Sequence, residues 1–269
     1  MKTTEKIGLS DVQDVYSGPE GRLWELIMGE QIHIGGFTSS MELAEKAGIG
    51  TGDKGVDFCS CNGAGMRFLV RFCNVDAMMG VDATKTVINQ CKQRCQQDDL
   101  SDRVNCILAD VCDSGLPSES FDFIWGEDAW CYVEDKAKLI QEAARITKVG
   151  GTIAFTDWVE GPAGLTESEA ERFLTFMKFP NVQDIEGYKQ LLLENNYKII
   201  HAENTGRFDP YMDLYLDMVG KQLTYDVLKI IDFDHTLMDA IAGEMVFTQQ
   251  LAHDGKIAQG LFVAKKEGK

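Results

Sequence analysis

Gly55-Val56-Asp57-Phe58-Cys59-Ser60-Cys61-Asn62-Gly63-Ala64-Gly65 reads as a short apolar strand around one acid that runs into a turn of small residues. A helix-like segment, Met66–Phe72, follows. In an open α/β sheet, ligands bind where such strands end. Small residues there let backbone N–H groups approach a polar ligand, and the helix N-terminus adds a positive field. The turn is neither Gly-x-Gly-x-x-Gly nor Gly-x-x-x-x-Gly-Lys-Ser/Thr, so a dinucleotide or triphosphate ligand fits it poorly. A nucleoside without a polyphosphate fits better.

Outward from this turn, short apolar strands alternate with helices. The expected strands are 56–59, 77–81, 104–108, 121–125 and 152–156, with helices at 66–72, 86–97 and 136–147 between them. This βαβα pattern predicts a mainly parallel sheet covered on both faces. Gly150-Gly151 is expected to end a helix ahead of the fifth strand. Helices follow at 166–178, opened by the capping box Thr166-Glu167-Ser168-Glu169, and at 184–195. A strand at 198–202, a mostly helical stretch over 209–253 and a last strand at 260–264 complete the chain, the two late strands adding an antiparallel edge. The first fifty residues are helix-prone. Segment 21–28 is one helix, and 40–47 another with Ser39 or Ser40 as N-cap.

Composition narrows the function classes. The chain has 269 residues and a formal net charge of −17, with no Lys/Arg cluster, so it repels nucleic acid. No run of about 18 apolar residues occurs and Met1–Lys6 has no apolar signal core, which predicts no membrane span and a cytoplasmic location. Eight cysteines occur without a Cys-x-x-Cys pair or a nearby His, so no metal site is expected and the thiols are expected to be reduced.

Carboxylates at strand ends are the candidate ligand groups. Asp82, 25 residues after Asp57, is placed to accept hydrogen bonds from ribose hydroxyls. Asp110 could accept an exocyclic adenine amine, with Val111 or Leu108 against the ring. Asp57 is expected to hold the turn through backbone N–H groups. Glu127 and Asp128 follow Trp125 and precede Trp130. Adjacent side chains on an extended segment point opposite ways, so one of the two acids is expected to face the ligand. Carboxylates beside aromatic faces suit an amine or cation. No Gly-x-Ser-x-Gly elbow, nucleophile triad or His-Glu-x-x-His motif is present.

These residues resemble a known family. The carriers are Tyr16, the stretch from Trp24 to Gly36 (WELIMGEQIHIGG), the turn from Asp57 to Arg67, Phe121–Trp125 with Asp128-Ala129, and Thr156-Asp157. The chain resembles the class I S-adenosylmethionine-dependent methyltransferases, and within them the small-molecule N-methyltransferases of the sarcosine/dimethylglycine and phosphoethanolamine kind. The resemblance implies a Rossmann-like, mainly parallel seven-stranded sheet. It implies an N-terminal helical lid over residues 1–50, and a methyltransferase domain over 51–269 with a helical insertion and acceptor-site elements in about 158–255. It implies S-adenosyl-L-methionine as cofactor, S-adenosyl-L-homocysteine as product and a small-molecule methyl acceptor, with an oligomer possible. An amine acceptor is expected; O-, S- or C-methylation of another metabolite is the alternative.

The cofactor set is then Trp24, Asp57, Ser60, Cys61, Asn62, Gly63, Asp82, Ala83, Asp110, Val111 and Glu127. The catalytic set is Tyr16, Asp128 and Tyr132, with Trp24 and Trp130 as aromatic walls. Two features depart from the family. Cys59 and Cys61 stand where relatives carry glycine, and Tyr132 stands where many carry histidine.

Overall fold

The computed structural model describes residues 1–4 and 7–268. A two-residue strand β1 (Lys2–Thr3) precedes three helices, α1 (Leu9–Ser17), α2 (Pro19–Met28) and α3 (Gly36–Ala47). The alternating part runs β2 (Lys54–Phe58), α4 (Ala64–Phe72), β3 (Ala77–Asp82), α5 (Lys85–Gln97), β4 (Val104–Leu108), β5 (Phe121–Glu127), α6 (Lys136–Ile146) and β6 (Thr147–Glu160). Then come α7 (Glu167–Met177), β7 (Asn181–Asp184), α8 (Ile185–Glu194), β8 (Tyr197–Asn204), α9 (Phe208–Asp217), α10 (Thr224–Ile230), α11 (His235–His253) and β9 (Ile257–Lys266).

Among the described residues the sheet has nine strands rather than the expected seven, and it is mixed. Its order is β1-β7-β6-β5-β2-β3-β4, and β9 lies between β6 and β8. β2 to β6 pair in parallel, whereas β9 runs antiparallel to both β6 and β8. The two late strands thus add the expected antiparallel edge, with β9 inside against β6 and β8 outermost. β1 and the four-residue β7 had no periodicity to reveal them. They pair with each other antiparallel, and β7 extends the end of β6.

Two local expectations fail for clear reasons. α6 ends at Ile146 and β6 begins at Thr147, so Gly150-Gly151 lies within a strand that is irregular where it pairs with β5. Ser39 and Ser40 do not cap α3. Gly35 holds that position in the left-handed region, and both serines are buried inside the helix.

Burial explains the strand pattern. Val56, Phe58, Ile124, Trp125, Ile153 and Phe155 are fully buried between layers, as strands covered on both faces require. α2 does not stand apart from the rest. Its Leu23 and Ile27 share a core with Phe173, Phe208, Tyr215 and Met245 of the C-terminal helices. Cys91 of α5 and Cys106 of β4 form a disulfide, contrary to the expectation that all thiols are reduced. No described helix is long and apolar enough to cross a membrane.

Candidate active site

Strand order reverses between β2 and β5, and a crevice opens beyond the carboxyl ends of strands at such a point. A cavity of about 770 Å³ lies there. Its wall brings together Asp57, Ser60, Cys61 and Asn62 from the turn after β2, Asp82 and Ala83 after β3, Asp110 and Val111 after β4, and Glu127 and Asp128 after β5. Tyr16 of α1 and Tyr132 close it, their rings 5.4 Å apart and edge to face.

The turn after β2 bends through two non-glycine residues in the left-handed region, Cys59 (φ 61°) and Cys61 (φ 46°). Asp82 holds it. Its carboxylate accepts from Cys61 N–H at 3.0 Å and from Thr84 N–H at 2.8 Å. The tethering role expected of Asp57 therefore belongs to Asp82. Asp57 instead faces Glu127 across Gly65. A Cβ at Gly65 would stand 3.2 Å from Glu127 Oε2 and 3.3 Å from Asp57 Oδ2, so the glycine leaves a cradle between two acids. Burial, followed by the nearby charges of Glu127 and Asp82, pushes the Asp57 carboxyl well above its ordinary value. A cationic ligand group in this cradle would relieve that repulsion.

Glu127 and Asp128 both line the cavity, against the expected alternation. The reason is local: Asp128 has φ 51°, which ends the extended geometry at Glu127. Glu127 accepts from Trp125 Nε1 at 3.0 Å and from Ser40 Oγ at 2.7 Å, and His33 Nε2 lies 3.3 Å away. Asp128 accepts from Ile34 N–H at 2.8 Å and from Gln259 Nε2 at 2.8 Å. Burial raises its pKa, while His33 and these donors oppose the shift. Burial also raises both tyrosines, so Tyr16 and Tyr132 are neutral hydroxyls near neutral pH.

Some expected residues lie elsewhere. Trp24 packs against Trp158, Met212 and Met245 in the helical layer. Trp130 is fully buried, stacked on Phe155, and donates to Phe58 O at 3.3 Å. Neither is a wall of the cavity; its aromatic faces come from Tyr16 and Tyr132. Gly63 sits behind the turn against Cys91, and Leu108 is exposed. Of the 158–255 segment only Pro180 is among the described lining residues. Gln31 and His33, from the Trp24–Gly36 stretch that carries the resemblance, line the cavity as well; so do Leu9, Val12 and Lys138, which nothing in their spacing marked.

Residues 56–155 match the family model of the methyltransferase domain. Phosphoethanolamine N-methyltransferase 1 of Arabidopsis thaliana is 25% identical over 247 residues, 90% of this chain and 48% of that protein. This chain thus spans about half the length of that relative. The methyltransferase fold extends well beyond the matched domain. Phosphoethanolamine N-methyltransferase 2 of Haemonchus contortus, solved with S-adenosyl-L-methionine, superposes with a TM-score of 0.83 at 20% identity, over 98% of this chain and 61% of that one. A putative sarcosine dimethylglycine methyltransferase of Galdieria sulphuraria superposes with a TM-score of 0.80 at 20% identity, over 91% and 97%. The acid-lined cavity fits a ligand that carries an ammonium and a sulfonium.

Proposed function

We propose that this chain is an S-adenosylmethionine-dependent methyltransferase of small-molecule amines, of the glycine/sarcosine/dimethylglycine or phosphoethanolamine kind. The observation that carries this reading is the closure of the acid-lined cavity by the Tyr16–Tyr132 pair beside Asp128. Similarity to enzymes named for those amines supports it.

The roles follow from position. The outward lone pairs of Asp82 accept from ribose hydroxyls, and Asp110 accepts the adenine amine with Val111 against the ring. Ser60, Cys61, Asn62 and Ala83 shape the path between them. Asp57 and Glu127 face the ammonium. S-adenosylmethionine supplies an electrophilic methyl group whose thioether leaving group needs no acid. The remaining work is to hold an amine nitrogen with its lone pair forward and to exclude water. Tyr16 and Tyr132 hydroxyls orient the nitrogen, and Asp128 receives its proton through them. α1 covers the cavity with Leu9, Val12 and Tyr16, and serves as the lid.

The test is calorimetric binding of S-adenosylhomocysteine, followed by mass spectrometry of products from an amine panel. Micromolar binding and a methylated amine are expected. No binding to the folded chain, or methyl transfer to oxygen, sulfur or carbon only, overturns the reading.

A further inference from the structure

A second chemical centre lies behind the cofactor turn. Cys91 and Cys95, one helical turn apart on α5, meet Cys106 of β4, and the three sulfurs lie within 4.8 Å of one another. All three are buried, and none lines the cavity. Cys91 and Cys106 are bonded, and Cys95 is free.

This cluster touches the turn at one point. A Cβ placed on Gly63 would stand 2.7 Å from Cys91 Sγ and 3.5 Å from Cys91 Cβ. The backbone of the turn therefore rests on that sulfur. Gly63 N–H donates to Ser60 O at 2.8 Å, and Gly63 O accepts from Arg67 N–H at 3.1 Å, so a push on Gly63 passes to Ser60 and to the start of α4. Buried Arg67 also lies beside Cys95, where its charge opposes the upward shift that burial imposes on the thiol.

We propose that Cys91, Cys95 and Cys106 form a thiol–disulfide exchange site whose oxidation state sets how firmly the cofactor turn is held. Its partners are a peroxide as oxidant and a dithiol as reductant. On oxidation the Cys91 and Cys106 thiols give up two protons and two electrons to hydrogen peroxide, whose O–O bond breaks to yield two waters. On reduction one thiolate of the dithiol attacks a sulfur of the pair. The S–S bond breaks, the released thiolate takes a proton, and the second thiol of the reductant closes its own disulfide. The Cys95 thiolate is placed to attack Cys106, which would move the bond and release Cys91.

The link to the turn is steric. Two thiols need more room than one disulfide, and a close-packed interior has little to give. Cys91 has the backbone of Gly63 on one side, so reduction presses on the turn and loosens it. Since all three sulfurs are buried, exchange proceeds through local opening of α5. Coupling is reciprocal, so a cofactor that favours the held turn must protect the disulfide by the same factor.

This inference rests on the cofactor reading only where ligand is used. The experiment takes the full chain, oxidised with hydrogen peroxide or reduced with dithiothreitol. It maps disulfides by peptide mass spectrometry, and follows hydrogen exchange over residues 59–66 and S-adenosylhomocysteine affinity. A Cys91–Cys106 linkage is expected, with faster exchange at 59–66 in the reduced state. Reduced protein should bind about threefold more weakly or worse, roughly 0.7 kcal/mol. Cys106→Ser should abolish the difference between states, and Cys95→Ser should keep it. Failure to form the linkage, a metal ion held by the three thiols, or identical exchange in both states overturns the proposal. If neither state binds ligand, the proposed function falls, while hydrogen exchange still judges the thiol site.

Discussion

Gln259 donates its side-chain N–H groups to both carboxylate oxygens of Asp128, at 3.0 and 2.8 Å, across 131 residues of sequence. The same nitrogen reaches Ile34 O at 3.1 Å, and Gln259 Oε1 accepts from Thr205 Oγ1 at 3.0 Å. One buried amide from β9 thus ties the acid after β5 to the chain segment between α2 and α3. Gln259→Leu leaves a buried carboxylate short of a donor and should cost about 2–3 kcal/mol of stability. Urea unfolding measures this; a change below about 0.5 kcal/mol would show that the amide does not hold Asp128.

Asp82 both tethers the turn and lines the cavity. Asp82→Ala should weaken S-adenosylhomocysteine binding at least tenfold, about 1.4 kcal/mol. Calorimetry beside a circular dichroism control separates lost affinity from lost fold. Unchanged affinity in a folded variant would remove Asp82 from the ligand site.

Tyr132 lines the cavity and meets Tyr16, their rings 5.4 Å apart and edge to face. Tyr132→Phe keeps the ring contact and loses the hydroxyl. It should lower kcat at least tenfold, about 1.4 kcal/mol, and leave cofactor affinity within about twofold. A variant with full turnover would leave Tyr132 as packing alone.

Asp157 supplies a pH prediction. Burial pushes its carboxyl up to about 6, against the pull of the Lys136 charge and the Tyr188 hydroxyl. An unfolded aspartate titrates near 3.9, so the folded chain binds this proton more tightly. The contribution of Asp157 to stability is therefore full below about pH 3.9 and is lost as pH rises through about 6. Asp157→Asn cannot titrate. The unfolding free energy of the variant relative to wild type should rise across that window by an amount on the order of 2–3 kcal/mol. A flat difference would mean that the carboxyl ionises as it does in water.

What the sequence disclosed follows the range of each signal. β2 to β5 were legible because their apolar runs are bounded by turns, and the strand-end acids Asp82 and Asp110 followed from those boundaries. β7 was hidden because four residues carry no period. The joint placement of Glu127 and Asp128 was hidden because alternation holds only while the chain is extended, and Asp128 leaves that region at φ 51°. Trp24 and Trp130 looked like site aromatics, but apolar faces are claimed by whichever layer buries them, and here that is the core. Gln259 and Pro180 reach the site from far along the chain, where no local pattern points to it.

The interior place of β9 bears on how the molecule is made. A ribosome still translating α11 holds a nascent chain in which the edge of β6 that β9 will occupy is open along residues 152–160 and Asp128 has no Gln259. An uncovered central strand is an invitation to mispairing, with other chains as well as with β8. Premature termination within α11 should therefore yield aggregating polypeptide rather than a weak enzyme. Chaperone demand should peak during synthesis of residues 208–256 and fall once β9 closes the sheet.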